Sequence, residues 1–150
     1  MSPRDKPPKT RKGRKPDSTD EAVTPPHPAA KAAAGYPILS LRHCESGFGV
    51  GDLTDKQRSE FLLKWAKRSN LTWTELRTHS KHGLGSEKIP LRKIKPACPT
   101  ILQDAEEVLV FRHEGNLPFA GVRADDVFYV VWIESSYNDL YEHNGGKNFR

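Results

Sequence analysis

Seven consecutive residues, Val127-Phe128-Tyr129-Val130-Val131-Trp132-Ile133, are all apolar or aromatic. The run is too short for a membrane span and too rich in branched and aromatic side chains for a helix, so it reads as a strand. Side chains on a strand alternate between two faces, and a strand apolar on both must be covered above and below or carry aromatics outward. Such a strand is expected to be the central one of its sheet. Two runs upstream, Val108 to Arg112 and Phe119 to Arg123, have the same texture, and Gly115-Asn116 and Asp125-Asp126 between them are turn formers. Three successive antiparallel strands are therefore expected.

Before them, Ile38-Leu39-Ser40-Leu41 alternates apolar with polar just past Pro37 and suits a short strand. Thr54 with Gln57 forms a capping box ahead of Phe61, Leu62 and Trp65, predicting an amphipathic helix over 55–69. Thr72 with Glu75 repeats the pattern ahead of Trp73 and Leu76, predicting a shorter helix that ends near Lys81 at the stop His82-Gly83. The order is β-α-α-β-β-β, a small antiparallel α+β sheet with two helices on one face.

Residues 1–35 have a different character. Eight of the chain's twelve prolines fall within the first 37 residues, and the first 34 carry eight Lys/Arg against four Asp/Glu with few groups able to join a core. They read as a disordered basic tail, with the globular domain over 36–150. No stretch approaches the ~20 apolar residues of a transmembrane helix, so no membrane association is expected. The two cysteines, Cys44 and Cys98, suggest a reducing, cytoplasmic setting rather than a disulfide framework, and Cys98 beside Pro99 reads as a small buried hydrophobe.

The net +5 is unevenly spread. Residues 56–95 hold eleven Lys/Arg against Glu60, Glu75 and Glu87, whereas residues 104–150 hold four against nine acids. A basic block inside a folded domain attracts polyanions through summed field and counterion release, which points to RNA; the alternative is a solvated helical surface. Lys88, Arg92, Lys93 and Lys95 lie in a stretch without acids from Lys88 to Gln103 and are the preferred backbone contacts, with His82 in the adjoining loop. That loop, His82 to Lys88, lacks the ending of a nucleotide-binding loop and reads as a helix exit. Arg11, Lys12, Arg14 and Lys15 add a second basic cluster in the tail.

If both turns are two-residue hairpins, Ala124 pairs with Val127, Arg123 with Phe128 and Arg112 with Phe119. Arg112, Phe119, Gly121, Arg123, Trp132 and Glu134 then share one face, with Arg123 roughly 13 Å from the Arg112 end at 3.3 Å per residue. The segment after the last strand returns Tyr141 and His143 to the Glu134 end. Cleavage of RNA by its 2′-hydroxyl needs a base, an acid and positive charge for the phosphorane; Glu134, Tyr141 or His143 suit proton transfer and Arg112 the electrostatic role. The alternative is a plain Arg112–Glu134 cross-strand ion pair. His43, Cys44, His79, His82, Cys98 and His113 lack the paired spacing of a zinc site, so no metal is expected.

The element order, the strand Val108-Leu109-Val110-Phe111-Arg112 ending in arginine, and the last strand trailed by Tyr141 resemble the RelE/ParE-type toxin superfamily. The resemblance implies a toxin-type, ribosome-associated endoribonuclease that cuts mRNA by 2′-hydroxyl attack, with a cognate antitoxin and no cofactor. Of the family's catalytic pattern, Tyr141 and Arg112 match. Pro118 and Phe119 stand where members usually carry a basic residue, and no cation lies between Ile133 and Tyr141. These departures leave open a noncatalytic RNA-binding or gyrase-inhibitor-like module on the same fold.

Overall fold

The computed structural model describes residues 35–143. The expected tail, apart from Gly35, and the last seven residues lie outside that range. The chain enters through β1 (Ile38–Ser40), then forms α1 (Asp55–Arg68) and α2 (Trp73–Leu76). Four strands follow: β2 (Glu87–Pro90), β3 (Glu107–Arg112), β4 (Pro118–Ala124) and β5 (Val127–Ile133). They form one mixed sheet in the order β1-β5-β4-β3-β2, with β1 parallel to β5 and every other pair antiparallel. The α+β class and the two helices match expectation. The fifth strand, β2, does not: Glu87–Pro90 contains a proline and two charges, and it is tolerated because it sits at the sheet edge.

Both capping boxes form. Gln57 N–H donates to Thr54 Oγ1 (3.1 Å) while Thr54 N–H donates to Gln57 Oε1 (2.9 Å), and Thr72 and Glu75 do the same for α2. α2 nevertheless closes after Leu76, well short of Lys81, and turns carry the chain on to β2. Gly85 is needed in that stretch, since a Cβ there would lie 2.0 Å from His79 O.

The buried stripe of α1 is Gln57, Phe61, Trp65 and Arg68, spaced four, four and three residues apart, whereas Leu62 is 61% exposed. Phe61 and Trp65 pack on Phe111, Phe119 and Phe128 of the sheet; the Phe61 and Phe119 rings meet edge to face at 4.8 Å. The opposite sheet face is covered by Ile94, Leu102, Leu140 and Tyr141, which pack against Val108, Val110, Ala120, Val131 and Trp132. β5 is thus apolar on both sides because both sides are covered. It lies between β1 and β4, and β4 takes the middle position.

The register departs from expectation at two places. Asp125-Asp126 is the expected tight turn, and Ala124↔Val127 and Arg123↔Phe128 pair as anticipated. Farther along, Gly121 pairs with Val130 but Ala120 with Trp132, leaving Val131 as an extra residue in a β-bulge. Val131 and Trp132 consequently both serve the second face. Gly121 opposite the bulge tolerates no side chain, because a Cβ would lie 1.9 Å from Tyr129 O. At the other hairpin, His113 N–H donates to Leu117 O (2.9 Å), so the loop has three residues, 114–116, instead of two. Arg112 pairs with Pro118 and Phe111 with Phe119. Phe119, Gly121 and Arg123 therefore do not share a face with Arg112, because a one-residue slip reverses every side chain.

Arg68, at the last turn of α1, is fully buried. Its Nε donates to Leu84 O (2.8 Å), its Nη2 to Arg112 O (2.8 Å) and Gly83 O (3.3 Å), and its guanidinium lies 4.8 Å from the Phe111 ring centre. Burial lowers its pKa to about 10, which still leaves it charged at neutral pH. Replacing Arg68 by Leu leaves buried carbonyls without donors, at about 1–3 kcal/mol for each unsatisfied group. Urea denaturation of Arg68→Leu should show a loss of roughly 3 kcal/mol or more by that reckoning, and Arg68→Lys should not restore it, because one ammonium cannot span the three acceptors.

Candidate functional site

At the end of β3, on the face away from α1, Arg112 is 6% exposed. Its Nη2 donates to Glu87 Oε2 (2.5 Å) and its Nη1 to the Tyr141 hydroxyl (3.2 Å). Glu87 comes from β2, and Lys81 Nζ donates to its other oxygen at 3.1 Å. Burial alone would raise the Glu87 pKa; the hydrogen bonds and charges of Lys81 and Arg112 outweigh it and hold the carboxyl below its ordinary value. Tyr141 is pushed the other way, because burial raises its pKa more than the Arg112 charge lowers it. The phenol is thus neutral at physiological pH.

The Tyr141 ring stacks on His143 at 4.9 Å and 16°. His143 Nε2 meets Glu134 Oε1 at 2.7 Å, and Leu140 N–H donates to Glu134 Oε2 (2.8 Å). Glu134 is fully buried, and desolvation raises its pKa despite these two partners. The structure therefore brings Arg112, Tyr141, His143 and Glu134 to one end of the sheet, as the sequence suggested. It forms no Arg112–Glu134 ion pair: Arg112 bonds to Glu87 and Glu134 to His143 and the Leu140 amide. Arg123 is absent from this cluster. It lies on the helix side, its guanidinium 4.3 Å from the Trp73 ring centre and its Nε donating to Asp125 O (2.7 Å).

The basic candidates gather along the β2 edge and the segment after it. Arg92 and Lys93 are exposed in a 3-10 turn directly following β2. Lys88 is 70% exposed at its side chain and 3.6 Å from Glu107, a pair too open to hold the lysine firmly. Lys95 is differently engaged: its Nζ donates to Asn138 O and pairs with Glu142 (2.5 Å), while its backbone N–H donates to Leu140 O (2.8 Å). It fastens the segment that carries Tyr141. His82 is exposed in the turn ahead of β2, where the carbonyls of Gly83 and Leu84 point inward to Arg68.

Comparison with protein-family models, curated proteins and solved structures finds no match to this chain.

The chemistry open to the two places differs. The Arg112 cluster has the residue types for proton transfer and charge stabilisation, but its cation is buried and already bonded to a carboxylate and a phenol. The β2 edge presents cations to solvent without strong partners among the described residues. Among the described residues no cluster of three or more His, Cys, Asp or Glu is placed to hold a metal ion. Cys98 is exposed, not buried as its neighbours suggested, because the proline-rich segment runs over the surface there.

Sequence reasoning passed over Glu87, Lys81 and Arg68, and weighed His113 only as a metal ligand. His113 is fully buried with its Nε2 2.7 Å from Glu134 O, while its Nδ1 has no partner and its ring faces Phe61 and Phe119. Protonation would put a second N–H into an apolar wall, and burial lowers the pKa to about 4. The folded protein binds this proton less readily than the unfolded chain, so the His113 contribution to stability is full above pH 6.5 and is lost as pH falls from 6.5 towards 4. The loss amounts to roughly 3 kcal/mol at 1.36 kcal/mol per pKa unit. Thermal melts across this window should fall more steeply for the native chain than for His113→Gln, whose amide can still donate to Glu134 O.

Proposed function

We propose that this domain is an RNA-binding module that engages the phosphate backbone along its β2 edge, the noncatalytic alternative left open by the sequence. The observation that carries the reading is the exposed, loosely held set Lys88, Arg92 and Lys93 on and just past one edge strand, against an Arg112 cluster whose charges are satisfied internally. Cations free to exchange water for phosphate give affinity through counterion release. A buried guanidinium hydrogen-bonded to Glu87 and Tyr141 would have to surrender those bonds to reach a phosphate.

The RelE-like nuclease is the second reading, and the convergence of Arg112, Tyr141, His143 and Glu134 favours it. It would require the segment around Tyr141 to open so that Arg112 meets the scissile phosphate, and a cognate antitoxin to cover the basic edge. Ribosome association and a toxin role belong to that reading.

RNA binding measured against salt concentration separates the parts. Arg92→Gln/Lys93→Gln should lower the salt slope by about 1.4, at roughly 0.7 per phosphate contact on a single strand. Lys95→Gln should leave the slope unchanged and instead loosen the Tyr141 segment. An unchanged slope in the Arg92/Lys93 variant removes the edge from the interface. On the binding reading, Tyr141→Phe retains RNA affinity and the native chain yields no cleaved RNA; cuts that disappear in a folded Tyr141→Phe protein would establish the nuclease instead.

A further inference from the structure

On the helix side of the sheet, beyond the reach of α1, lies a groove of about 680 Å³. Its apolar lining includes Trp73 and Leu76 of α2 with Leu109 of β3 and Gly121 of β4. Leu109 is only partly covered, and it is here that the apolar lining meets solvent. Arg77, Lys88 and Arg123 contribute to its lining from α2's end, β2 and β4.

The two acids at the groove are already engaged, Glu87 with Arg112 and Lys81, and Glu107 with Lys88. The guanidinium of Arg123 is set against Trp73, which restricts its motion without neutralising its charge. Arg77 is exposed and lines the same groove. Planar, fully charged donors beside a groove with a partly exposed apolar wall suit a ligand that is itself part flat and apolar and part anionic. The volume falls within the ~300–1,000 Å³ usual for small-ligand clefts.

We propose that this groove is a nucleotide subsite for single-stranded RNA, in which one base lies against Leu109 in the groove between α2 and the sheet and its phosphate is held by Arg77 and Arg123. The inference rests on the RNA-binding reading and extends it: Lys88 lies both on the basic edge and at the groove, so a strand tracking the edge reaches the groove without leaving the protein. The edge supplies contacts indifferent to sequence, and the groove is where a base would be sensed.

The test uses the full chain with an eight-nucleotide oligouridylate, the same oligomer with abasic sugars, and adenosine 5′-monophosphate alone. Arg77→Gln/Arg123→Gln should weaken oligouridylate binding about tenfold or more, as expected for the loss of two charge-assisted phosphate contacts. Removing the bases should weaken binding by the native chain but not by the double variant. In a two-dimensional NMR spectrum, the mononucleotide should shift the Trp73 indole N–H and the Gly121 amide. If a folded double variant, or Arg77→Gln alone with abasic substitution, leaves affinity and base dependence unchanged, the groove is overturned while the edge reading stands. If oligouridylate does not bind the native chain yet the mononucleotide still shifts Trp73, the RNA reading fails and the groove stands as a nucleotide site. Absence of both responses overturns both.

Discussion

A guanidinium with no carboxylate partner among the described residues ties α1 to the sheet. Arg68 closes α1, and from there it bonds the carbonyls of Gly83, Leu84 and Arg112, so that helix, edge turn and β3 converge on one buried cation. An unpaired charge in an apolar core is costly. Here the cost is offset by three carbonyl dipoles, by the negative end of the α1 macrodipole and by the faces of Phe111 and Phe119. The placement has consequences beyond stability. Holding Gly83 and Leu84 fixes where β2 begins, and β2 brings Glu87 to Arg112 and Lys88 to the solvent edge. The buried network and the exposed basic strip thus share one anchor.

What could be read in the sequence was mainly what is local. A capping box is decided by residues three apart, and both formed; the Asp125-Asp126 turn links adjacent residues, with Asp125 in the left-handed region at φ 54°. β2 was missed because Pro90 and its charges argue against a strand, and only the neighbouring β3 makes it one. Arg68 was hidden for a related reason: on a lysine- and arginine-rich helix, its position gave no sign that it faces inward while Leu62 faces out. The bulge at Val131 likewise depends on two strands at once.

Two of the departures offset each other. The three-residue loop moves Arg112 by one step against β4, and the bulge moves Trp132 by one step in the matching sense. Arg112 and Trp132 therefore still share a face, although Phe119, Gly121 and Arg123 have left it. This is why the cluster of Arg112, Tyr141, His143 and Glu134 came together although the register departs from expectation at the 114–116 loop and at the Val131 bulge. Its members are set by where strands end and where the following segment returns, which one slip at a turn and one at a bulge did not alter. Arg123, placed in that cluster by alternation alone, was the member most exposed to the error.

The same shift decides how the chemistry of the sheet is divided. With Arg112 on one face and Arg123 on the other, no single bound phosphate can meet both, so any account requiring the pair in one active centre fails on topology. Arg112 stands among buried groups that neutralise it, where its role is to join β2, β3 and the Tyr141 segment. Arg123 stands on the helix-side face, on the part that α1 does not reach, held against Trp73 with Asp125 O accepting only its Nε. An arginine whose aromatic support limits its rotamers loses less entropy when an anion arrives than a free lysine does. Of the two, the arginine on the helix side is the one whose surroundings leave its charge available to a ligand.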